Sequence, residues 1–283
     1  MLKLKHIYRI NVTPLKWKGE FLSSLSSGNN LDYIYFSQDL FKYVLPSGVP
    51  RKSLIVLAGE GGSGKSVIIA HIVRDIISMG EPVLYVALDD DPQTVINQLS
   101  SFKTNTEKAC GEKKLVIIDG FSYLVKPKRL NYCVEEEITP DNPESIVSTL
   151  IKVADKYRLE NRGILVIDSL NEVMVSLDPT RFILFIKSLR ANFAKSRGIM
   201  TITTLHTSTQ GFKEYLLSIE HLVDGIMETA SIPGELAQQI PIFIRQIMVR
   251  KMKGVNSKPG WILYGIDNEG LKPVMLKITG SSR

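Results

Sequence analysis

Short apolar runs alternate with helix-like segments through most of this chain. Five of the runs are rich in β-branched and other apolar residues, which is the pattern of strands whose two faces are both buried in a parallel sheet. The runs are Leu54–Ala58, Val83–Leu88, Leu115–Ile118, Ile164–Ile167 and Ile199–Leu205. Their alternation with helical patterns predicts an α/β fold in which a mostly parallel central sheet is flanked by helices.

Three of the predicted helices begin at a capping residue that is followed by proline. Asp91-Pro92, Asn142-Pro143 and Asp178-Pro179 each offer a side chain that can accept a hydrogen bond from the first helical turn. Proline is favoured at the first helical position, so the pairs mark helix starts. The helix after Asp178, residues 180–197, carries one apolar stripe, which is typical of a surface helix packed on a sheet.

The pattern changes to strands and turns after Val223. The three strands predicted here are Gln246–Met252, Trp261–Ile266 and Val274–Ile278. They predict an antiparallel C-terminal extension of the sheet. We therefore divide the chain into an N-terminal extension, residues 1–45, and one main domain, residues 46–283. Within the main domain, residues 121–141 are predicted to form a long loop or insertion.

Composition and charge place the chain among folded proteins without a membrane span. Of its 283 residues, 44% are apolar and 23% are charged. No apolar run reaches the roughly 18 residues that a spanning helix needs, and no signal-peptide pattern is present, so we expect a cytoplasmic protein without membrane insertion.

The net charge of +6 favours polyanionic partners, and nucleotide alone would satisfy that preference. Cys110 and Cys133 lack the spacing of a disulfide framework or a zinc site, so we expect neither.

A glycine-rich segment after the first predicted strand carries the clearest chemical signal. It fits the pattern G-x-x-x-x-G-K-[ST] and lies between a strand and a helix, as a phosphate-binding P-loop requires. Its residues are Gly59, Glu60, Gly61, Gly62, Ser63, Gly64, Lys65 and Ser66. Backbone N–H groups would converge on the phosphates of ATP, Lys65 would bridge the β- and γ-phosphates, and the Ser66 hydroxyl would bind Mg²⁺. The segment therefore predicts ATP and Mg²⁺ as ligands.

A carboxylate at a strand end is the expected second protein ligand of Mg²⁺. Asp168 and Asp119 each end a predicted strand. We favour Asp168, because helical segments frame its strand on both sides, as expected for a central strand. Asp119 is the alternative ligand, and a strand-end turn is the other role that its position suits.

Hydrolysis also requires a group that orients or deprotonates the attacking water. Asp89, Asp90 and Asp91 follow the strand Val83–Leu88, and parallel sheets collect their ligands at the carboxyl ends of strands. Asp91 is explained as the cap of the next helix. Asp89 and Asp90 are therefore the candidate catalytic bases, and a solvated acidic turn is the alternative for both.

These motifs, in this order, resemble those of the RecA superfamily, and within it the single-domain KaiC-like ATPases that include archaeal RadA paralogues. The resemblance covers about residues 48–270. The segments that carry it are Gly48–Pro50, Gly59–Ser66, Tyr85–Pro92, Leu165–Ser169, Glu220–Gly225 and Val249–Gly254. It implies a RecA-like fold and an ATP-hydrolysing activity.

The resemblance assigns roles to several residues. In the family, the strand after the P-loop helix ends in two glutamates that activate water. Asp89 and Asp90 stand in their place with side chains one methylene shorter, which implies slow hydrolysis or an altered geometry. Asp168 corresponds to the Walker B carboxylate. A nucleotide-sensing residue follows the next strand in the family, which points to Thr204 or His206, with a structural histidine as the alternative.

Lys251 and Lys253 correspond to a Lys-Met-Arg segment that, in the family, reaches the γ-phosphate of a neighbouring subunit. Lysine replaces the arginine at position 253. The resemblance therefore implies that catalytic lysines are supplied between the subunits of a homo-oligomer, for which a hexamer is one candidate. The two residues lie two apart on a predicted strand, so their side chains should point to one face. The alternative is a solvated edge strand.

Two functional hypotheses of different classes follow. The first is an oligomeric ATPase that couples its nucleotide state to subunit contacts and acts on DNA as a RadA-paralogue-like recombination and repair accessory. Binding of single-stranded DNA is the less well supported half of this hypothesis, since the loop predicted at residues 207–218 has Lys213 as its one cation. The second is a nucleotide-responsive signalling protein that binds ATP or ADP, hydrolyses little and docks to a protein partner. A small-molecule kinase lacks a recognisable substrate motif.

Overall fold

The structure is a computed structural model that describes residues 8–15, 32–124, 131–232, 234, 244–267 and 270–280. Parts of the predicted extension and of the predicted insertion lie outside these residues. The strands are β1 (Tyr8–Pro14), β2 (Tyr33–Ile34), β3 (Val49–Pro50), β4 (Leu54–Gly59), β5 (Val83–Ala87), β6 (Leu115–Asp119), β7 (Val134–Glu137), β8 (Ile164–Asp168), β9 (Met200–His206), β10 (Gly225–Ser231), β11 (Ile244–Met252), β12 (Ile262–Asp267) and β13 (Gly270–Gly280). The helices are α1 (Asp39–Val44), α2 (Lys65–Ser78), α3 (Pro92–Ser101), α4 (Thr106–Gly111), α5 (Pro143–Lys156), α6 (Leu170–Ser176), α7 (Pro179–Leu189) and α8 (Gln210–Ile219).

One large sheet organises the described residues. Its eleven strands follow the order β1-β13-β12-β11-β10-β4-β9-β8-β5-β6-β7. All pairs from β10 to β7 are parallel, whereas β10, β11, β12, β13 and β1 pair antiparallel to one another in turn. The predicted α/β fold, with its mostly parallel sheet and its antiparallel C-terminal extension, is confirmed.

Helices cover both faces of the sheet. Successive residues of β4 point to opposite faces, so Ile55 and Leu57 enter one core with α2, while Leu54 and Val56 enter another with α5 and α7. Every residue of β4 is buried. A strand of this kind is apolar at consecutive positions, which is why the central strands could be predicted.

Capping residues start the helices as predicted. Asp91, Asn142 and Asp178 each accept hydrogen bonds from backbone N–H groups of the first turn, and proline follows each of them. After α7 the chain continues in a π-helical segment, Arg190–Ser196. The loop predicted at residues 207–218 was wrong, because α8 occupies most of it.

The described parts of the predicted extension and insertion contribute to the sheet. Strand β1 pairs with β13, and α1 buries Leu40 and Phe41 in the core that contains α2. The predicted insertion contains β7, which pairs with β6 as the last strand of the sheet. The division of the chain at residue 45 stays a prediction. Among the described helices, none is long and apolar enough to cross a bilayer.

A disulfide bond joins Cys110 of α4 to Cys133, which precedes β7. The expectation that these cysteines form no disulfide was wrong. Pairing of the chain with β6 brings the two together, since Ile117 N donates to Cys133 O at 2.9 Å. The Cα atoms of the two cysteines are 5.2 Å apart, within the usual range for a disulfide, and both side chains are buried.

The Cys110→Ser, Cys133→Ser variant is expected to lose about 3 kcal/mol of unfolding free energy. The two cysteines are 23 residues apart, and the cross-link restricts the unfolded chain over that distance. Urea denaturation with and without reductant measures the effect. Reduced wild-type protein should match the variant, and the variant itself should not respond to reductant. Equal stability of the oxidised and reduced wild-type protein would contradict the prediction.

Candidate functional site

The carboxyl ends of β4, β5, β8 and β9 meet at one edge of the sheet. In the strand pairing, Gly59 lies beside His206, and Ala87 lies beside Asp168. The P-loop, the acidic turn after β5 and Asp168 therefore converge at this edge. Ligand sites in parallel sheets form at the same place.

The P-loop runs from the end of β4 into α2, and its glycines permit close packing. A Cβ atom on Gly59 would collide with Thr229 of β10, and one on Gly64 would lie 2.7 Å from the hydroxyl oxygen of Tyr264. Gly64 has a φ of 101°, in the left-handed region that favours glycine. Ser63 Oγ and Thr229 Oγ1 share a hydrogen bond of 2.7 Å. The loop is thereby fixed against β10.

Lys65 is buried and connects the P-loop to β9. Its Nζ donates to the carbonyl oxygen of Gly59 at 2.8 Å and to that of Glu60 at 2.9 Å. Nζ also lies 3.2 Å from Nδ1 of His206. Burial lowers the pKa of Lys65 to about 8, although nearby carboxylates oppose this effect. A phosphate anion in contact with Nζ would favour the charged form.

His206 lies between Lys65 and the acidic turn. Because an ammonium group only donates, Nδ1 of His206 accepts from Lys65, and Nε2 then donates to Asp89 Oδ2 at 3.1 Å. Asn171 holds the backbone of His206, since Asn171 Oδ1 accepts from His206 N at 2.7 Å and Asn171 Nδ2 donates to His206 O at 3.1 Å. A chain of contacts thus links the P-loop to Asp89.

The two candidate bases differ in their surroundings. The hydrogen bond from His206 lowers the pKa of Asp89, against the opposing effect of burial. Burial raises the pKa of Asp90, and the charges of Asp89 and Asp168 raise it further. A carboxylate with a raised pKa accepts a proton more readily. The two carboxylates therefore differ: Asp89 is hydrogen-bonded to His206, and Asp90 has a raised pKa.

Asp168 ends β8 and is held from both neighbouring strands. Tyr85 of β5 donates from its hydroxyl to Asp168 Oδ2 at 2.6 Å, and Thr204 of β9 donates from Oγ1 to Asp168 Oδ1. Asp119, by contrast, accepts with Oδ1 from the backbone N–H groups of residues 121–122. Its carboxylate thus stabilises the turn after β6, which was the other role suggested for this residue.

Ser66 and Asp168 offer the oxygen donors that Mg²⁺ prefers. Ser66 lies in the first turn of α2, and Asp168 is half-buried at the end of β8. Within the described ranges, no group of three or more His, Cys, Asp or Glu residues could hold a metal ion by itself. Mg²⁺ beside a nucleotide is usually held by one or two protein oxygens and by the phosphates, so this donor set fits it.

Lys251 and Lys253 lie at the opposite edge of the sheet. Strand β11 runs antiparallel to β10, so its last residues lie beside the amino end of β10, which in turn pairs with the amino end of β4. Lys251 Nζ donates to Glu220 O at 2.5 Å, and Lys253 Nζ lies 3.8 Å from Asp224 Oδ1. Within one subunit, the two lysines are therefore not brought together with the P-loop.

Several residues near the site were not predicted from the sequence. Glu172 of α6 lies close enough to Asp89 to be affected by its charge, and burial, followed by that charge, raises the pKa of Glu172. Arg245 of β11 donates from Nε to Gly62 O at 3.1 Å. Glu172 follows Asp168 by four residues in the sequence, and it lies in the first turn of α6. Arg245 reaches the P-loop through strand pairing, and no sequence pattern shows that.

Comparison with known proteins gives consistent matches. The family model described as "ATPase: KaiC" matches residues 30–277. A UPF0273 protein of Methanocaldococcus jannaschii is 26% identical over 237 residues, which cover 81% of this chain and 90% of that protein. A UPF0273 protein of Pyrococcus furiosus is 23% identical over 231 residues, covering 81% of this chain and 88% of that protein.

A solved structure shares the fold. The crystal structure of a KaiC-like protein from the hyperthermophilic archaeon Pyrococcus horikoshii matches with a TM-score of 0.63 at 19% sequence identity. The match covers 85% of this chain and 98% of that chain. At this level of identity the similarity shows the fold alone.

Proposed function

This chain belongs to the KaiC family of ATPases, and on that premise we propose that it hydrolyses ATP with Mg²⁺ and works as a homo-oligomer. The family match confirms the resemblance drawn from the motifs and supports an ATP-binding, RecA-like ATPase. The observation that carries the finer proposal is the chain of contacts at one sheet edge, in which His206 joins Lys65 to Asp89.

Phosphate binding is the proposed task of the P-loop. Lys65 donates to two carbonyl groups of the loop itself. With ATP bound, the same ammonium group would turn to the β- and γ-phosphates, which are stronger acceptors. The positive amino end of α2 adds to the attraction for anions.

Water activation is assigned to the acidic turn. Asp90, with its raised pKa, takes the proton of the attacking water. Asp89 holds His206 in the tautomer whose Nδ1 faces Lys65. His206 thereby registers whether Lys65 is engaged by a γ-phosphate, which is the sensing role proposed for it. Mg²⁺, held by Ser66 and Asp168, would offset the negative charge of the β- and γ-phosphates.

The Asp89→Asn, Asp90→Asn variant is expected to lose about 10²-fold in turnover while its affinity for Mg-ATP stays within about twofold. A water-activating carboxylate acts on the reaction step rather than on binding. Steady-state phosphate release and equilibrium binding of a fluorescent ATP analogue measure the two effects separately. Asp91→Asn is the matched control, because asparagine caps a helix about as well as aspartate.

Unchanged turnover in the double variant would place the base elsewhere. A loss of Mg-ATP binding would instead make these residues metal ligands or structural groups. Either result contradicts the assignment of Asp89 and Asp90 to the reaction step.

A nucleotide-dependent interaction protein with little hydrolysis is the second candidate function. The observation that favours it is the hydrogen bond between Asp89 and His206. It engages one of the two aspartates that stand in place of the family's water-activating glutamates. Phosphate release by the wild-type protein that does not exceed the rate without protein, with intact ATP affinity, would favour this candidate over the ATPase.

DNA binding stays outside the proposal. The segment that could have carried it is mostly α8. The ring of Tyr215 packs edge-on against Phe182, with ring centroids 5.3 Å apart. Tyr215 is also partly buried against the core that contains α5 and α7, which limits the ring surface available for stacking on a base, a main source of single-strand affinity.

A further inference from the structure

We infer that Tyr85 is a positioning residue, which holds the Asp168 carboxylate in the orientation that binds Mg²⁺. The inference rests on the proposed function, because it assigns a role at the same site. It also goes beyond that function, since Tyr85 touches neither nucleotide nor metal in the proposed mechanism. It acts through Asp168.

The position of Tyr85 follows from the strand register. Ala87 is the residue of β5 that pairs with Asp168, and Tyr85 lies two positions before it on the same face. Its ring is 1% exposed and packs in the core that contains α2. From there its hydroxyl reaches the carboxyl end of the neighbouring strand, where it donates to Asp168 Oδ2 at 2.6 Å.

A second hydroxyl completes the arrangement from the other side. Strand β8 lies between β5 and β9, and Thr204 of β9 is fully buried. Thr204 Oγ1 donates to Asp168 Oδ1, the oxygen that Tyr85 does not contact. Each neighbouring strand therefore supplies one donor to one carboxylate oxygen. Rotation of the carboxylate would break at least one of these hydrogen bonds.

The chemistry of the pair suits a metal ligand. A carboxylate offers about four lone-pair sites, so two hydroxyl donors leave acceptor capacity for a cation. The Tyr85 hydroxyl donates to a carboxylate oxygen, which is a strong type of hydrogen bond. Partners of this kind orient metal ligands, and their removal typically costs about 10–100-fold in metal affinity.

The test is the Mg²⁺ dependence of nucleotide binding in Tyr85→Phe, which removes the hydroxyl and keeps the ring. A fluorescent ATP analogue is titrated onto the wild-type and variant proteins in EDTA, and then at rising Mg²⁺ concentrations. In Tyr85→Phe, we expect the Mg²⁺ concentration that gives half of the maximal gain in nucleotide affinity to be about tenfold higher than in the wild-type protein. The affinity for the nucleotide in EDTA should stay within about twofold of the wild-type value. Thr204→Val should shift the Mg²⁺ dependence in the same direction.

Thr203→Val is the matched control for Thr204→Val. Thr203 is equally buried on the same strand, but its Oγ1 faces Ile55 O instead of Asp168. The control should leave the Mg²⁺ dependence unchanged. An Asp168→Asn background adds a further check: if Tyr85 acts through Asp168, Tyr85→Phe should have no additional effect there.

Two results would overturn the inference. One is an unchanged Mg²⁺ dependence in a folded Tyr85→Phe protein. The other is an equal loss of affinity with and without Mg²⁺, which marks a packing role. If Tyr85→Phe does not fold, Thr204→Val provides the test. An unchanged Mg²⁺ dependence of nucleotide binding in Thr204→Val would then overturn the inference that hydroxyl donors orient Asp168. A wild-type protein that binds no ATP at all contradicts the proposed function instead.

Discussion

The Lys65→Ala variant is expected to lose roughly 10³-fold in ATP affinity while it keeps its fold. Lys65 would make two charge-assisted hydrogen bonds to the β- and γ-phosphates, each worth about 2 kcal/mol, which together correspond to that factor. Its Nζ hydrogen-bonds to Gly59, Glu60 and His206, and the apolar face of α2 does not depend on it. The loss should therefore appear in binding and not in stability.

Isothermal titration with ATP and thermal unfolding in the absence of nucleotide separate the two effects. Lys187→Ala is the matched control, because Lys187 is an exposed lysine of α7 on the other face of the sheet. It should bind ATP as the wild-type protein does. Equal ATP affinity in Lys65→Ala and the wild-type protein would refute the assignment of the P-loop.

The elements that could be predicted from the sequence are those whose pattern is local. Strands β4 and β8 are buried on both faces, so they are apolar at consecutive positions. The caps Asp91, Asn142 and Asp178 act on residues two or three positions ahead. Such features need no knowledge of the rest of the fold.

The features that were missed depend on distant parts of the chain. Strand β10 contains Glu228 and Thr229 among small and apolar residues, and its parallel pairing with β4 decides its conformation. The bond between Cys110 and Cys133 depends on how the chain returns to β6. A spacing of 23 residues carries no signal for such a bond.

The candidate site divides in the same way. The P-loop is a contiguous motif, and Asp89 and Asp168 lie at ends of strands that could be recognised. The contact between His206 and Asp89, and that between Tyr85 and Asp168, join side chains on different strands. Their existence depends on strand order and register, which the sequence pattern did not provide.

The other large expected effect concerns Lys251 and Lys253, for which we propose a role between subunits. Gly225 and Thr229 of β10 lie beside Ile55 and Gly59 of β4. The lysines lie at the Gly225 end, about 13 Å along the strands from the P-loop end, at about 3.3 Å per residue. Neither Nζ can serve the P-loop of its own subunit from there. A phosphate contact of these lysines, as we propose it, would therefore be made to a neighbouring subunit.

The surroundings of Lys253 leave it available to such a neighbour. Asp224 accepts two hydrogen bonds from Arg190, at 3.0 and 2.8 Å, and Lys195 Nζ lies 3.1 Å from it. Lys253 Nζ lies 3.8 Å from Asp224 Oδ1, so it is a further cation beside a carboxylate that Arg190 and Lys195 already pair. Its side chain is about half exposed, so an anion from another subunit can approach it.

The Lys251→Ala, Lys253→Ala variant is expected to lose roughly 10³-fold in turnover, at the lower end of the effect of an arginine supplied in trans. The lower end applies because lysine provides a point charge without the bidentate fork of arginine. ATP binding to the isolated subunit should persist. Lys108→Ala with Lys187→Ala is the matched control, since it removes two exposed lysines elsewhere.

Mixing variants tests whether the lysines act between subunits. The double variant keeps an intact P-loop, and Lys65→Ala keeps both lysines, so a mixed oligomer contains some complete sites. Turnover of the mixture should exceed the sum of the two separate proteins and should rise with protein concentration. The mechanism is ruled out by a wild-type protein that stays monomeric with ATP, as measured by sedimentation velocity, and whose specific activity does not depend on concentration.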